Sequence, residues 1–147
     1  MTAQTLNGQI IGETERAIRA VLDRLLDRCD TTFEEWVLLN SVAIGGGAVA
    51  SDELRTTVAT ALRVDEETIQ ATVDALTRRG LLDTVPSDGG PRVGLTAAGR
   101  ERHGEIRAGI AEVSARLYGD LPAEDLATAA RVLTTVQARA TAVLEAT

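Results

Sequence analysis

Few residues of this sequence are of the types that carry out catalysis or bind metals. The 147 residues include one histidine, His103, and one cysteine, Cys29. One residue of each kind cannot supply an internal disulfide, a Cys-based zinc site or a His-rich metal cluster within one chain. We therefore predict no catalytic residues, no metal site and no cofactor, and we expect a protein that is not an enzyme.

The two residues still have possible roles. His103 is followed four residues later by Arg107, on one face of a predicted helix, where the pair could bind a carboxylate or a phenolate. An ordinary surface or core position for His103 is the plainer alternative. Cys29 lies on the apolar stripe of another helix, where a free cysteine usually acts as a small hydrophobic residue. A reactive thiol would need a neighbouring cation, and Arg28 is the one clear candidate.

The elements that organise the chain lie between residues 65 and 96. Asp65 is placed to cap a helix, and Ile69, Val73 and Leu76 follow at spacings of four and three, which predicts a single apolar stripe. Gly80 after two arginines is typical of a helix end. A short apolar run, a turn-rich segment over 86–91 and a second apolar alternation then predict a strand, a hairpin tip and a strand.

Helices are predicted on both sides of this stretch. The apolar spacing predicts a helix from Ile10 to Cys29. Thr32 and Glu35 form a capping-box pattern that opens a second helix to about Ala43. The triple glycine and the residues up to Ala50 are predicted to be a flexible connection. Ser51 is predicted to cap a third helix to about Leu62, and its expected buried residues are Leu54, Val58, Ala61 and Leu62.

Two long helices are predicted for the last 50 residues, with Thr96 capping the first and a break at Leu121-Pro122. Their apolar residues recur at three and four, as in a coiled-coil seam. So small a domain cannot cover both seams, which predicts a homodimer. No apolar run approaches 18 residues and no signal-peptide pattern opens the chain, so we expect a soluble, cytoplasmic protein with no membrane partner.

Three motifs together resemble those of one bacterial family. R-R-G-L-L at 78–82, the glycine-rich tip and V-G-L-T-A-A-G at 93–99 resemble the MarR family of winged helix-turn-helix transcriptional regulators, over about residues 10–146. The resemblance implies a mainly α fold with a small β-hairpin. It implies one domain over 1–147, with a winged helix-turn-helix at 32–95, its wing at 83–95, and N- and C-terminal dimerisation helices at 9–30 and 97–146. The family usually has a glycine at the position of Arg63.

The resemblance also implies a function. A dimeric DNA-binding regulator, a repressor, would recognise a double-stranded operator with its second helix and its wing. Carried over by position, the DNA-binding candidates are Arg55, Thr68, Gln70, Ala71, Arg78 and Arg92. Among these types, glutamine can pair with adenine, threonine can bind a base or a phosphate, and alanine can touch a thymine methyl group. The arginines would lie on phosphates.

Members of the family hold a pocket for a small aromatic or lipophilic effector between the dimer helices and the winged region. The effector-pocket candidates here are Phe33, Trp36, Asn40, His103 and Arg107, and Tyr118 is a further candidate. A core role is the alternative for the single Trp and the single Phe, because a chain with 2% aromatic residues uses them where packing needs volume.

Charge favours a second hypothesis. The chain carries a net charge of −7, and residues 51–95 hold five arginines and eight acidic residues, a net of −3. The family commonly has Arg or Ser where this chain has Glu66 and Glu67, and its wing tip is about one residue longer. Affinity for DNA depends on neutralising phosphates. The alternative is therefore a winged-helix descendant that has lost operator binding and acts as a small-molecule-binding protein or an enzyme.

Overall fold

The computed structural model describes residues 4–147 and confirms a mainly α fold with a small antiparallel sheet. The elements in chain order are α1 Gly8–Arg28, α2 Phe33–Ile44, β1 Ala48–Ala50, α3 Ser51–Leu62, α4 Glu66–Arg78, β2 Leu82–Val85, β3 Arg92–Leu95, α5 Ala97–Tyr118 and α6 Ala123–Ala146. The described chain divides into two compact units, one reaching Ile110 and the other running from Ala111 to Thr147.

Local hydrogen bonds set most helix starts where the sequence predicts them. Thr32 and Glu35 form a reciprocal capping box, in which each side chain accepts from the other residue's backbone N–H, at 3.2 and 2.8 Å. Asp65 accepts from the backbone N–H of Thr68 at 2.8 Å and caps α4. The prediction for Ser51 is wrong: α3 begins at Ser51 itself, after Ala50, and has no side-chain cap.

The sheet contains a strand that was not predicted from the sequence. Residues 45–50 are not simply a flexible connection, because Ala48–Ala50 pairs antiparallel with β3, with Val49 opposite Val93. β3 also pairs with β2, so it is the central strand in the order β1-β3-β2. Gly46 and Gly47 have φ angles of +92° and +96°, which only glycine adopts at low cost, and they turn the chain into β1.

The core of the first unit is aliphatic and encloses the predicted stripe of α4. Ile69, Val73 and Leu76 are 0%, 4% and 0% exposed. Burying each such side chain stabilises the fold by about 1.5–3 kcal/mol. In α3, Leu54 and Val58 are buried as predicted, whereas Ala61 is exposed and Leu62 is half-buried. The buried alanine of α3 is Ala59, two residues before Ala61.

The turn between α3 and α4 has the backbone conformation that a glycine would favour. Arg63 has φ 57° and ψ 45°, in the left-handed region, and caps the end of α3. The backbone N–H of Val64 donates to the carbonyl of Ala59 at 3.1 Å and closes the turn. Arg63 therefore keeps the tight turn at a conformational cost, which for a non-glycine residue is about 1 kcal/mol.

The L-T-A-A-G motif joins the end of β3 to α5. The Thr96 hydroxyl donates to the carbonyl of Gly80 at 2.6 Å and accepts from the backbone N–H of Gly99 at 2.9 Å, so Thr96 caps α5 as predicted. A Cβ at Gly99 would collide with the carbonyl oxygen of Leu81. Glycine is therefore needed for the close approach of α5 to the start of β2.

The second unit consists of the end of α5, the break at Leu121-Pro122 and α6. Within Ala123–Ala146 no residue is buried. Apolar side chains on α6, among them Leu133, Val136 and Leu144, are 36%, 41% and 56% exposed. Among residues 4–147, none of the helices is both long enough and apolar enough to cross a membrane.

Candidate functional site

α4 presents a polar face opposite its buried stripe. Glu66, Glu67 and Ala71 are exposed on that face, and Gln70 is half-buried. The Thr68 hydroxyl donates to the Asp65 carboxylate at 2.7 Å, so it reinforces the helix cap. This bond, together with the bond from the Thr68 backbone, lowers the pKa of Asp65. Asp65 is therefore ionised at neutral pH, beside the positive end of the helix dipole.

Two predicted DNA-binding residues, Arg55 on α3 and Gln70 on α4, are in direct contact. Arg55 Nη1 donates to Gln70 Oε1 at 3.0 Å, and Gln70 Nε2 donates to Asp74 Oδ1 at 2.9 Å. Arg55 also donates to Asp52, and its Nε lies 3.9 Å from Glu66 Oε1. We refer to Asp52, Arg55, Glu66, Gln70 and Asp74 as the Gln70 cluster. It contains one cation and three carboxylates.

Two grooves adjoin α4. The first, of about 190 Å³, separates the Gln70 cluster from the wing, and its lining includes Arg55, Gln70, Thr84 and Pro91. The second, of about 490 Å³, lies on the other side of α4 toward the start of α2. Its lining includes Thr68 and Ala71. The exposed face of α4 therefore lies between two open surfaces, which leaves space for a large ligand to approach it.

The wing is a short hairpin with little positive charge. In its tip the Ser87 hydroxyl donates to the carbonyl of Gly90 at 2.6 Å, and Gly90 has φ +107°. Arg92 is the first residue of β3, directly after the tip and opposite Val85, and its Nη2 donates to the carbonyl of Ala48 at 2.7 Å. Arg78 is exposed in the last turn of α4. Of the candidate cations, Arg92 is thus on the wing and Arg78 is at the C-terminal end of α4.

His103 contacts two other effector-pocket candidates in the first unit. The rings of Trp36 and His103 stack with centroids 5.3 Å apart, and His103 Nε2 lies 3.0 Å from Asn40 Oδ1. We refer to Trp36, Asn40 and His103 as the His103 cluster. Burial lowers the pKa of His103, and the nearby charge of Arg107 lowers it further. The imidazole is therefore neutral at pH 7 and donates Nε2–H to the Asn40 oxygen.

The other effector-pocket candidates have different surroundings. Trp36 is 7% exposed and packs with Leu26 and Ile106, so most of its ring belongs to a core. Phe33 lies at the margin of that core, under the Arg19 guanidinium, whose carbon is 3.5 Å from the ring centroid. Arg107 is exposed. The remaining candidate, Tyr118, lies in the second unit and is 41% exposed.

Cys29 is half-buried among apolar residues of this small core. These surroundings agree with its prediction as a small hydrophobic residue. Within residues 4–147, no group of three or more His, Cys, Asp and Glu side chains is placed to hold a metal ion.

A third polar cluster was not anticipated from the sequence. Arg79 Nη1 donates to Glu35 Oε2 at 2.8 Å, and its Nη2 donates to the carbonyl of Asp30 at 2.5 Å. Arg102 Nη1 donates to the Thr31 hydroxyl at 3.2 Å. We refer to Asp30, Thr31, Glu35, Arg79 and Arg102 as the Glu35 cluster. It joins the end of α4 and the first turns of α5 to the loop between α1 and α2, through contacts between residues far apart in the sequence.

The arrangement of α3, α4 and the β2–β3 hairpin defines a winged helix-turn-helix. A MarR mutant from E. coli complexed with operator DNA is 20% identical, covers 88% of this chain and 91% of its own, and gives a TM-score of 0.72. The S. aureus MepR-DNA complex is 18% identical, covers 91% of this chain and 96% of its own, and gives a TM-score of 0.75. CouR from Rhodococcus jostii bound to p-coumaroyl-CoA is 16% identical, covers 91% of this chain and 95% of its own, and gives a TM-score of 0.75. No family model and no curated protein matches the sequence.

The chain therefore has the fold of the MarR regulators along about nine-tenths of its length. The resemblance predicted from the three motifs is confirmed at the level of the fold, and so is the mainly α class with a small hairpin.

Proposed function

We propose that this protein is a dimeric DNA-binding transcriptional regulator, a repressor, that acts in the cytoplasm and is released from its operator by a small aromatic or lipophilic effector. The observation that carries the proposal is the winged helix-turn-helix, in which α4 buries one apolar stripe and leaves a polar face open between two grooves. Solved structures with this fold include complexes with operator DNA and with p-coumaroyl-CoA.

In this proposal the first turns of α4 enter the major groove and the wing approaches the adjacent minor groove. Gln70, Thr68 and Ala71 would contact base edges. Arg55, Arg78 and Arg92 would contact phosphates and fix the register of the protein on DNA. Because the Thr68 hydroxyl donates its hydrogen to Asp65, a base contact by Thr68 would use the hydroxyl oxygen as an acceptor.

A dimer would bring two such surfaces to one pseudo-palindromic operator. Support for the dimer comes from the apolar side chains that α6 leaves exposed, including Val132, Leu133 and Val136. Fully burying such a side chain stabilises an assembly by about 1.5–3 kcal/mol. In a symmetric dimer both copies bury these side chains, so the total gain outweighs the freedom of motion that the subunits lose on association. Light scattering at micromolar concentration should give a dimer, and a monomer would contradict this part of the proposal.

The effector site is proposed around the His103 cluster. A neutral His103 and an amide at Asn40 can hydrogen-bond a phenol, and the Arg107 guanidinium can bind a carboxylate. The single tryptophan of the chain, Trp36, belongs to this cluster and should report ligand binding by its fluorescence. We expect benzoate and 4-hydroxybenzoate to change that fluorescence with saturation, and the change to weaken in Arg107→Gln.

DNA binding is tested with the duplex that flanks the protein's own gene. A regulator should bind it in a gel-shift assay, give a discrete footprint and lose affinity steeply as salt rises, because phosphate contacts release counterions. The negative charge of residues 51–95 predicts weak binding to unrelated DNA. Low non-specific affinity with a clear footprint is therefore the expected result.

The second candidate function is a winged-helix descendant that binds a small molecule and no longer binds an operator. A specific observation favours it: the Arg55 guanidinium is already paired with Asp52 and lies near Glu66. No binding to DNA at low salt, together with a saturable change in Trp36 fluorescence, would support this candidate over the regulator.

A further inference from the structure

The side-chain amide of Gln70 is held at both ends by partners of opposite kinds. Its oxygen accepts from Arg55 at 3.0 Å, and its nitrogen donates to Asp74 at 2.9 Å. A guanidinium can only donate hydrogen bonds and a carboxylate can only accept them. Rotating the amide by half a turn would set N–H against N–H at Arg55 and oxygen against oxygen at Asp74. The amide therefore has one favourable orientation.

The held amide still has hydrogen bonds to offer. A glutamine amide has two acceptor positions on oxygen and two N–H donors, and Arg55 and Asp74 use one of each. One acceptor and one donor remain. These are the two groups with which glutamine binds the N6 amino group and N7 of adenine in the major groove.

We propose that Arg55 and Asp74 are positioning residues that give Gln70 a fixed reading direction, so that the protein distinguishes an A·T pair from a T·A pair at one position of each half-site. This inference rests on the proposed function as a DNA-binding regulator. Across the major groove, N7 and N6 of adenine have an order that reverses when the pair is reversed. A freely rotating amide can match either order, whereas the held amide matches one.

The rest of the Gln70 cluster supports this geometry. Gln70 is half-buried and lines the groove that also contains Thr84 and Pro91, so part of its side chain is already fixed by packing. Arg55 is kept beside Gln70 by its own bond to Asp52. An amide that is ordered in the free protein loses little further freedom on binding, so its contacts count more toward specificity.

The test uses a pool of duplexes with a randomised centre of roughly 20 base pairs, the span of two half-sites about one helical turn apart. The wild-type protein selects its binding duplex, and the affinity is then measured with A·T and with T·A at each position. Gln70→Ala identifies the position that depends on Gln70. We expect the wild type to prefer one order there by about tenfold or more.

The decisive variant is Arg55→Met with Asp74→Asn, which removes the donor at Arg55, replaces the acceptor-only carboxylate of Asp74 by an amide that can donate or accept, and leaves the net charge of the protein unchanged. Its matched control is Arg78→Met with Glu67→Gln, which also removes one cation and one acid while leaving both partners of Gln70 in place. We expect the preference to fall to about threefold or less in the first double variant and to persist in the control. Circular dichroism confirms that both remain folded.

Three results would contradict the inference. If the decisive variant keeps the wild-type preference, Arg55 and Asp74 do not set the direction, although DNA binding stands. If the wild type binds a selected duplex but shows no difference between A·T and T·A at the Gln70-dependent position, the held amide has no role in specificity. If the wild type selects no duplex even at low salt, the proposed function fails and the inference fails with it.

Discussion

Two arginines of the winged helix-turn-helix, Arg55 and Arg79, have similar exposure, but only Arg79 has a buried acidic partner. Their side chains are 27% and 32% exposed, and each lies near two carboxylates. The partners of Arg55 are mostly hydrated, with Asp52 88% and Glu66 57% exposed. One partner of Arg79, Glu35, is 9% exposed. The Gln70 cluster is therefore an exposed network, and the Glu35 cluster is partly an interior one.

This difference in burial separates a surface contact from a structural one. Exposed ion pairs contribute about 0–1 kcal/mol, because water and salt compete for both charges. Arg55 can therefore exchange Asp52 for a DNA phosphate at little cost. Leaving a buried carboxylate without its partner costs several kcal/mol, so Arg79 is held in place. The first network suits a binding face, and the second fixes the end of α4 to the loop before α2.

The largest effect that distinguishes the two clusters is expected at Glu35. Glu35→Ala removes the Arg79 bond and half of the capping box, and we expect the free energy of unfolding to fall by about 2–4 kcal/mol. Glu35→Gln keeps an oxygen for the cap and should lose about 1–2 kcal/mol. Chemical denaturation measures both. Asp52→Ala is the matched change in the exposed cluster, and a loss as large as that of Glu35→Ala would overturn the comparison.

A second effect is expected in DNA binding. Asp52→Ala with Glu66→Ala removes two acids beside Arg55, which frees its guanidinium for a phosphate. We expect an affinity for the selected duplex about tenfold higher, because Arg55 then contacts its phosphate without giving up two carboxylates, and a salt dependence close to that of the wild type, because the number of phosphate contacts is unchanged. Fluorescence anisotropy at several salt concentrations measures both quantities.

The control for this effect is Glu53→Ala with Glu67→Ala, which removes the same charge from exposed positions of α3 and α4. It should raise the affinity less and leave the salt dependence nearly unchanged. Equal gains in the two double variants would mean that net charge alone matters and that Arg55 is not available to DNA.

The parts of this architecture that were predictable are those that depend on residues close together in the sequence. The stripe Ile69, Val73 and Leu76, the caps at Thr32 and Asp65 and the hairpin all depend on residues within one or two turns of one another, so composition and spacing reveal them. Strand β1 has three small or β-branched residues after a triple glycine, which gives no alternation to detect. It exists because β3 offers it a partner.

The polar clusters were less predictable for the same reason. Arg55 and Gln70 were each identified as candidates, but their contact spans 15 residues and depends on the angle between α3 and α4. Arg79 and Glu35 are 44 residues apart and were assigned only local roles, as a cation near a helix end and as part of a cap. Periodicity reports which face of a helix is buried, but it does not report which element covers that face.

A smaller effect is expected at the turn that sets the angle between Arg55 and Gln70. Arg63→Gly relieves the left-handed conformation of a non-glycine residue, and we expect it to raise the free energy of unfolding by about 0.5–1 kcal/mol. Because φ and ψ are already those that glycine accepts, the Gln70 cluster should keep its geometry and the A·T preference should not change. Arg63→Ala keeps the left-handed conformation of a non-glycine residue. An increase in the free energy of unfolding as large in Arg63→Ala as in Arg63→Gly would therefore contradict this explanation.

The smallest effect concerns the His103 cluster, a third polar contact whose partner is neutral rather than charged. Since the pKa of His103 is lowered in the folded state, the unfolded chain binds more protons just below its ordinary pKa, about 6.5. The contribution of His103 is thus fully present above about pH 6.5 and is lost as the pH falls toward the lowered folded pKa. His103→Gln keeps an amide donor for Asn40 and should remove this pH dependence.

The single histidine also allows its titration to be followed directly by NMR. Arg107→Gln should raise the folded pKa, because it removes the neighbouring positive charge. A wild-type protein that becomes more stable than His103→Gln on acidification would show that His103 is paired with a carboxylate instead, and the His103 cluster would then belong with the charged clusters.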